Sequence, residues 1–188
     1  MAEDVSAWTN EARRALIETA KVYHATITYG ELADRIQDRT GVHTKQLLQN
    51  WIGEPLANVS DQCAENGEPL LSSLCVSKVD GTVGKGYPDA VARAYGVRPD
   101  DLELHAAEER LKCYQYFNAV DLPEDGGTPA LTAQVESARR TVRERDQTQR
   151  RSWDVSRTCP ECHQLPSVSG VCACDSAAMP AGTVVSVG

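Results

Sequence analysis

The chain is short of aromatic residues and of long apolar runs. Aromatic residues make up 5% of its 188 residues, and phenylalanine occurs once, at Phe117. A core therefore has to be built mainly from Leu, Ile, Val and Ala, for which the hydrophobic content of 41% is sufficient. No stretch approaches the roughly 18 consecutive apolar residues of a membrane span. We therefore expect a soluble protein without a membrane partner.

The residue patterns of most enzymes are missing as well. The sequence contains no phosphate-binding loop, no nucleophile elbow and no carboxylate pair whose spacing marks it as catalytic. Its histidines show no metal-ligand spacing with one another; they are His24, His43, His105 and His163. We therefore expect a protein that is not an enzyme and has no small-molecule substrate.

The N-terminus and the cysteines indicate the compartment. Residues 1–4 are Met-Ala-Glu-Asp, and they lead into a helical pattern rather than into the basic and apolar parts of a secretory signal. Of the seven cysteines, Cys63, Cys75 and Cys113 are isolated, and the other four crowd near the C-terminus. An odd number without a secretory signal argues against a disulfide framework. We expect a cytoplasmic protein in which the isolated cysteines are small buried residues.

Hydrophobic periodicity predicts a mainly helical α+β fold. The expected helices lie at about 5–24, 28–40, 43–52, 56–64, 88–95, 100–117 and 131–152. Thr28 and Glu31 have the spacing of a capping box, and Gly41 is placed to end the second helix in the left-handed conformation. Imperfect alternation over residues 70–79 predicts a strand, and Asp80-Gly81 predicts a hairpin turn after it.

Three helices followed by a glycine-rich hairpin are the layout of a winged helix-turn-helix domain. In that layout one helix enters the major groove and the hairpin contacts the backbone. The candidate recognition helix is 43–52, because no acidic residue stands between Asp38 and Glu54. The predicted contacts to bases and phosphates are Thr44, Lys45, Gln46, Gln49, Asn50, Lys78 and Lys85. Protein binding or a purely structural role is the alternative for this domain.

Two segments resemble the DNA-binding domain of methylguanine-DNA alkyltransferases and alkyltransferase-like proteins. Residues 28–33 read TYGELA, as in that family, and residues 79–87 (VDGTVGKGY) are similar to the turn after its active site. The resemblance covers roughly residues 10–90 and implies the winged-helix fold with DNA contact, in a bacterial or phage setting. The family's Pro-Cys-His-Arg motif is missing: its cysteine position falls near Ser73, and Cys75 lacks the histidine and arginine. Because alkyl transfer needs an activated thiolate, the resemblance does not extend to that activity.

Four cysteines near the C-terminus predict a structural zinc site. Cys159 and Cys162 form one pair, and Cys172 and Cys174 form a second, tighter pair after nine intervening residues. Four thiolates close a tetrahedron around Zn²⁺ and leave no position for water, so the metal would be structural. Few apolar residues surround them, and metal binding would have to supply the folding free energy. The alternatives are His163 in place of Cys174, or cysteines that are unligated or redox-active.

The helix ahead of these cysteines carries half of the arginines. Residues 135–157 contain seven of the 14 arginines and four acidic residues, a net charge of +3, which leaves −11 for the rest of a chain whose net charge is −8. The arginines expected to meet phosphates are Arg139, Arg140, Arg143, Arg150 and Arg151. DNA is the expected partner, with RNA as the second option. A solvated helix, a protein partner, or an acidic surface of the same chain are the alternatives.

The predicted organisation has five parts. They are a winged-helix-like domain with a helical extension at 5–118, a linker at 119–130, the arginine-rich helix at 131–157, a zinc knuckle at 158–175 and a disordered tail at 176–188. Together they predict a non-enzymatic nucleic-acid-binding protein with a regulatory or defence-related role. The alternative is a bacterial or phage adaptor or inhibitor whose acidic face binds another protein.

Overall fold

Helices dominate the fold, as a computed structural model of the chain shows for residues 2–157, Cys159 and Gln164. The helices are α1 (Ala2–Ala20), α2 (Tyr29–Thr40), α3 (Leu48–Trp51), α4 (Gly53–Asn66), α5 (Tyr87–Tyr95), α6 (Leu102–Tyr116) and α7 (Ala133–Arg157). The strands are β1 (Ile27–Thr28) and β2 (Cys75–Val76), and a 3₁₀ turn at Leu71–Leu74 precedes β2. The mainly helical α+β class is therefore confirmed. Among the described residues, no helix combines the length and apolar character that crossing a membrane requires.

The chain divides into two compact units, Met1–Ser137 and Ala138–Gly188. The hydrophobic core belongs to the first unit, where α1 packs against α2, α4 and the 3₁₀ turn. Its fully buried side chains include Leu16, Leu32, Ile36, Val59 and Leu74. The rings of Trp8 and Trp51 pack at a tilt of 50° with centroids 4.7 Å apart, and the Trp8 indole donates to the Val42 carbonyl at 3.1 Å. Aliphatic side chains thus form most of the core, as the composition requires.

Helix α2 begins and ends where its capping residues predict. The Glu31 N–H donates to the Thr28 hydroxyl at 3.3 Å, and the Glu31 carboxylate accepts from the Thr28 N–H at 2.9 Å. These reciprocal bonds complete the capping box. Gly41 ends the helix at φ 68°, a conformation that a residue without Cβ adopts freely. The predicted second helix is confirmed at both ends.

The predicted strand at 70–79 is wrong for most of its length. Residues 71–74 form the 3₁₀ turn, closed by the Ser73 N–H donating to the Leu70 carbonyl at 3.0 Å, and only Cys75–Val76 are a strand. All four residues of the turn are buried, because the leucines on both sides of the two serines face the core. The short strand pairs in parallel with β1. The hairpin is reduced to a single antiparallel bridge between Val76 and Val83.

The predicted helix at 43–52 is also corrected. Residues 42–47 are not helical, and α3 is one turn long. The Thr44 N–H donates to the Gln37 side chain at 3.0 Å, and the Thr44 hydroxyl accepts from the Gln46 N–H at 3.2 Å. Such side-chain bonds compete with helical ones and hold this segment open. Pro55, which stands between the helices predicted at 43–52 and 56–64, lies in the first turn of α4, where its missing N–H costs nothing.

The segment from 119 to 132 has no helix, but it is fastened to the first unit. The Thr128 N–H donates to the Tyr23 hydroxyl at 3.1 Å, and the Gln115 side chain donates to the Gly126 carbonyl at 2.8 Å. Val135, in the first turn of α7, is buried. The compact unit therefore continues into the start of α7.

Candidate nucleic-acid interface

A cleft of about 620 Å³ lies between the α3–α4 region and the hairpin that leads into α5. Its walls are mostly apolar, and Leu48, Ile52 and Leu56 line one side. Gln49, in α3, and Lys85, in the hairpin, line the same cleft. None of its described lining residues is acidic. The structure therefore brings two of the predicted nucleic-acid contacts together.

Tyr29, in the TYGELA segment, forms part of the cleft wall and requires a glycine opposite it. A Cβ atom added to Gly84 would collide with the Tyr29 hydroxyl, which is hydrogen-bonded to the Gly84 backbone. Burial raises the pKa of the Tyr29 hydroxyl well above its ordinary value, so the group stays neutral. The glycine-rich hairpin and the tyrosine thus fit each other closely. This contact explains why the hairpin has a glycine at position 84, since a side chain there would collide with Tyr29.

The other predicted contacts of the first unit lie outside the cleft lining. Thr44 is half-buried and uses its hydroxyl within the loop before α3. Lys45, Gln46, Asn50 and Lys78 are exposed. The bonds from Thr28 lower the pKa of Glu31, and the charges of Arg35 and Lys78 lower it further. These predicted contacts belong to the loop before α3, to α3 and to the hairpin, and they do not lie on one helical face.

Leu47 is a residue of this region that the sequence reasoning missed. Its side chain is 67% exposed, and it lines the cleft beside Leu48. A signal was present, since two adjacent leucines cannot both face the core from a single helical turn. The exposed leucine gives the cleft an apolar rim.

The position that corresponds to the alkyltransferase cysteine is closed. Ser73 is fully buried, with its hydroxyl 4.0 Å from the Cys113 sulfur. Cys75 is fully buried as well, and burial raises the pKa of its thiol well above the ordinary value. Neither side chain has the exposure that a nucleophile needs.

The arginine helix is exposed on every side over residues 140–150. Arg140, Arg143, Arg145 and Arg150 form no ion pair with any residue in the described part of the chain. With about 100° per residue, Arg139, Arg143 and Arg150 lie within about 40° of one another, whereas Arg145 lies about 200° from Arg143. We call the side that carries Arg139, Arg143 and Arg150 the arginine face. The side chain of Arg151 lies outside the described part of the structure.

The predicted zinc site is described at one ligand. Cys159 is half-buried, and its N–H donates to the Gln164 carbonyl at 2.8 Å. Cys162, Cys172, Cys174 and His163 lie outside the described residues. Within the described ranges, no group of three or more potential metal ligands occurs. The four-cysteine zinc site stays a prediction.

Two charged residues of α6 are buried, which the sequence reasoning did not foresee. Glu109 and Arg110 are 0% and 2% exposed. Ala106 and Cys113, on either side at helical spacing, are buried too, and this spacing was the available signal. Glu109 accepts hydrogen bonds from the Tyr95 hydroxyl, the Leu70 N–H and the Lys112 ammonium, at 2.7, 3.0 and 2.7 Å.

The first unit thus has an apolar cleft with polar residues near it, and α7 separately carries the arginine face. Comparisons with protein families, with curated proteins and with solved structures return no match to this chain.

Proposed function

We propose that this protein binds nucleic acid, in the first place DNA, and catalyses no reaction. The observation that supports this most is the arginine face of α7. Residues 140–150 span about 16 Å of exposed helix. Duplex DNA carries one charge per about 1.7 Å of its axis, so several phosphates lie within reach of such a face.

The exposure of this helix argues that its arginines serve binding rather than packing. A helix that is polar on all sides gains little stability from tertiary contacts. Arginine guanidinium groups match phosphates with two parallel hydrogen bonds, and Arg143 and Arg150 have no carboxylate partner among the described residues. The proposed role is regulatory or defence-related, in a bacterium or a phage.

The first unit contributes a second contact in this proposal. Lys85 on the hairpin and Gln49 in α3 line the same cleft. Lys45, shortly before Gln49 in the sequence, and Lys78, shortly before Lys85, are both exposed. In this proposal the short α3 acts as the recognition helix, and the small hairpin acts as the wing. A structural Zn²⁺ held by Cys159, Cys162, Cys172 and Cys174 would stabilise the chain after α7.

A salt series with matched variants tests the proposal. Binding to duplex and single-stranded oligonucleotides is measured from about 50 to 300 mM salt for the full chain, Arg143→Gln and Arg145→Gln. Each lost phosphate contact reduces the slope of log K against log salt by about 0.9 for duplex DNA. We expect Arg143→Gln to reduce the slope by about that amount and Arg145→Gln to leave it unchanged.

Both variants lose one positive charge, so the comparison separates a local contact from the total charge of the protein. Equal effects would assign the binding to overall charge and would contradict the arginine face. Absence of binding at about 50 mM salt would contradict nucleic-acid binding altogether. A chain that ends after Ser137 keeps the whole first unit, and its residual affinity measures the contribution of the hairpin and α3.

A protein partner is the second candidate, and the exposed Leu47 favours it. An apolar cleft with an exposed leucine on its rim is suited to an apolar side chain of another protein. The excess negative charge of the chain would then select a basic partner. If Leu47→Ser leaves nucleic-acid binding unchanged but abolishes capture of a purified protein partner, the adaptor function is the correct one.

A further inference from the structure

A second cavity, of about 330 Å³, lies between α6, the turn at 24–26 and the segment 128–134. It is distinct from the cleft described above, with which it shares no lining residue. Its lining is about equally polar and apolar, and it includes Arg110. None of its described lining residues is acidic, although the chain has 27 acidic residues. The cavity therefore has a cationic wall without a carboxylate.

Arg110 is buried without an ion pair among the residues that the structure describes. Its guanidinium donates to the carbonyls of Ser73 and Ala130, both at 3.2 Å. These acceptors are neutral and use two of the five N–H groups that a guanidinium carries. Burial outweighs the neighbouring charges and lowers the pKa of Arg110, which indicates that its positive charge is poorly compensated. Buried charges are normally compensated by an opposite charge.

Glu103 is an acidic residue whose charge acts on Arg110, but it does not line the cavity. Its carboxylate accepts from the Val83 N–H of the hairpin at 3.1 Å. No carboxylate from the described lining faces the cavity from α6, from the 24–26 turn or from the segment 128–134. An anion that enters the cavity therefore meets the arginine without acidic competition at the lining.

Hydrogen-bond donors surround the mouth of the cavity. Thr26 and Thr128 line it, and their hydroxyls have no hydrogen-bond partner among the described residues. Ala133 and Gln134, at the start of the 25-residue helix α7, also line it, and N–H groups in a first helical turn favour anions. His24 stands at the rim with φ 64°, a backbone conformation that is uncommon for a residue with a side chain. Such donors suit the oxygens of a phosphate.

We propose that this cavity binds a phosphate group. Its volume of about 330 Å³ exceeds that of a phosphate ion and leaves room for part of an attached organic group. The phosphate can belong to a free phosphomonoester or to the 5′ end of a nucleic acid. This inference does not depend on the arginine face, because none of the arginines of that face lines the cavity.

Titration of the full chain with inorganic phosphate tests the inference. Heat of binding and thermal unfolding are followed up to about 20 mM phosphate, against chloride and sulfate at matched ionic strength. We expect saturable binding of phosphate that Thr26→Val combined with Thr128→Val weakens at least about five-fold, since two donors are removed. Ser6→Ala, which removes an exposed hydroxyl from α1, serves as the control and leaves the affinity unchanged.

Arg110→Lys keeps the charge but loses the planar fork, and we expect it to weaken phosphate binding at least about ten-fold. If this variant does not fold, the threonine pair decides the question alone.

A second titration compares 5′-phosphorylated with 5′-hydroxyl oligonucleotides of one sequence. A preference of at least about five-fold for the phosphorylated form assigns the site to nucleic-acid ends, and equal affinity assigns it to free phosphomonoesters. No saturation by inorganic phosphate, the same response to chloride, or unchanged affinity in the threonine pair would each overturn the inference. The salt series on the arginine face would stand in any of these cases.

Discussion

Glu109 shows how one buried residue joins three elements. It lies on α6, and its donors come from α5, from the residue before the 3₁₀ turn and from α6 itself. Burial alone would raise the pKa of Glu109, but the Lys112 ammonium, the Leu70 N–H and the Tyr95 hydroxyl outweigh it and hold the pKa below its ordinary value. The ionised carboxylate is therefore the form that stabilises the folded protein.

We expect Glu109→Gln to lower the free energy of unfolding by about 2 kcal/mol at pH 7, because the charge-assisted bonds are lost. The pKa is lower in the folded than in the unfolded state, so this contribution is present above the unfolded value of about 4.3 and is lost as the pH falls through the folded value. Urea unfolding between pH 3 and 7 measures it. Glu108→Gln, its exposed neighbour, should change stability by less than about 0.5 kcal/mol. A difference between wild type and Glu109→Gln that persists unchanged at pH 3 would contradict this account.

At the scale of elements, the hairpin is small but firmly held. The Ser77 N–H donates to the Thr82 carbonyl at 2.8 Å, and the Thr132 hydroxyl donates to the Gly81 carbonyl at 3.0 Å. The second bond ties the hairpin tip to the residue before α7. The Asp80 carboxylate accepts from the Thr82 hydroxyl and N–H, and its bonds with Ser77 and Thr82 lower its pKa. Side-chain bonds thus replace the strand ladder of a longer wing.

Gly81→Ala should destabilise the protein by about 2 kcal/mol. Gly81 has φ 69°, and an added Cβ atom would collide with the Thr132 hydroxyl and approach the Gln134 side chain. Gly86→Ala is the matched control, because Gly86 has φ −82° and open space around its Cβ position. It should change stability by less than about 0.5 kcal/mol. Thermal and urea unfolding of both variants measure the difference, and equal losses would show that the tip contact with Thr132 contributes nothing.

At the scale of the whole molecule, the two units are expected to have different sources of stability. The first unit has its own core of buried aliphatic side chains. The second unit, from Ala138 onward, contains all four clustered cysteines, and its described part from 140 to 150 has no buried residue. Metal binding is therefore the expected source of folding free energy after α7.

Purified protein should contain about one Zn²⁺ per chain. Cys172→Ser should reduce this to less than half an equivalent, because a three-ligand site binds the metal less tightly. Cys75→Ala removes a cysteine that is buried in the first unit and should leave the zinc content unchanged. Elemental analysis gives the ratio, and a full-length chain with less than about half an equivalent would contradict the zinc site.

The capping box at Thr28 and Glu31, the left-handed end at Gly41 and the hairpin turn at Asp80-Gly81 were all predictable from the sequence. Each of them forms between groups that are only a few residues apart, so the local backbone geometry is enough to bring these groups together. The aliphatic core and the helical class were predictable for a related reason, since periodicity and composition are also local properties. The candidate contacts at Gln49, Lys85 and on α7 were named from charge and position alone.

Tertiary contacts decided the rest. Residues 70–79 carry a strand-like pattern, but burial of Leu71 and Leu74 around two serines favours a 3₁₀ turn, and β2 then pairs with β1, 48 residues before it. The Thr44 N–H donates to the Gln37 side chain, and this bond keeps the start of the expected recognition helix in a non-helical conformation. The cavity beside Arg110 is built from three separate parts of the chain. Such features depend on contacts between residues that are far apart in the sequence. The free energy of these contacts cannot be read from any single segment.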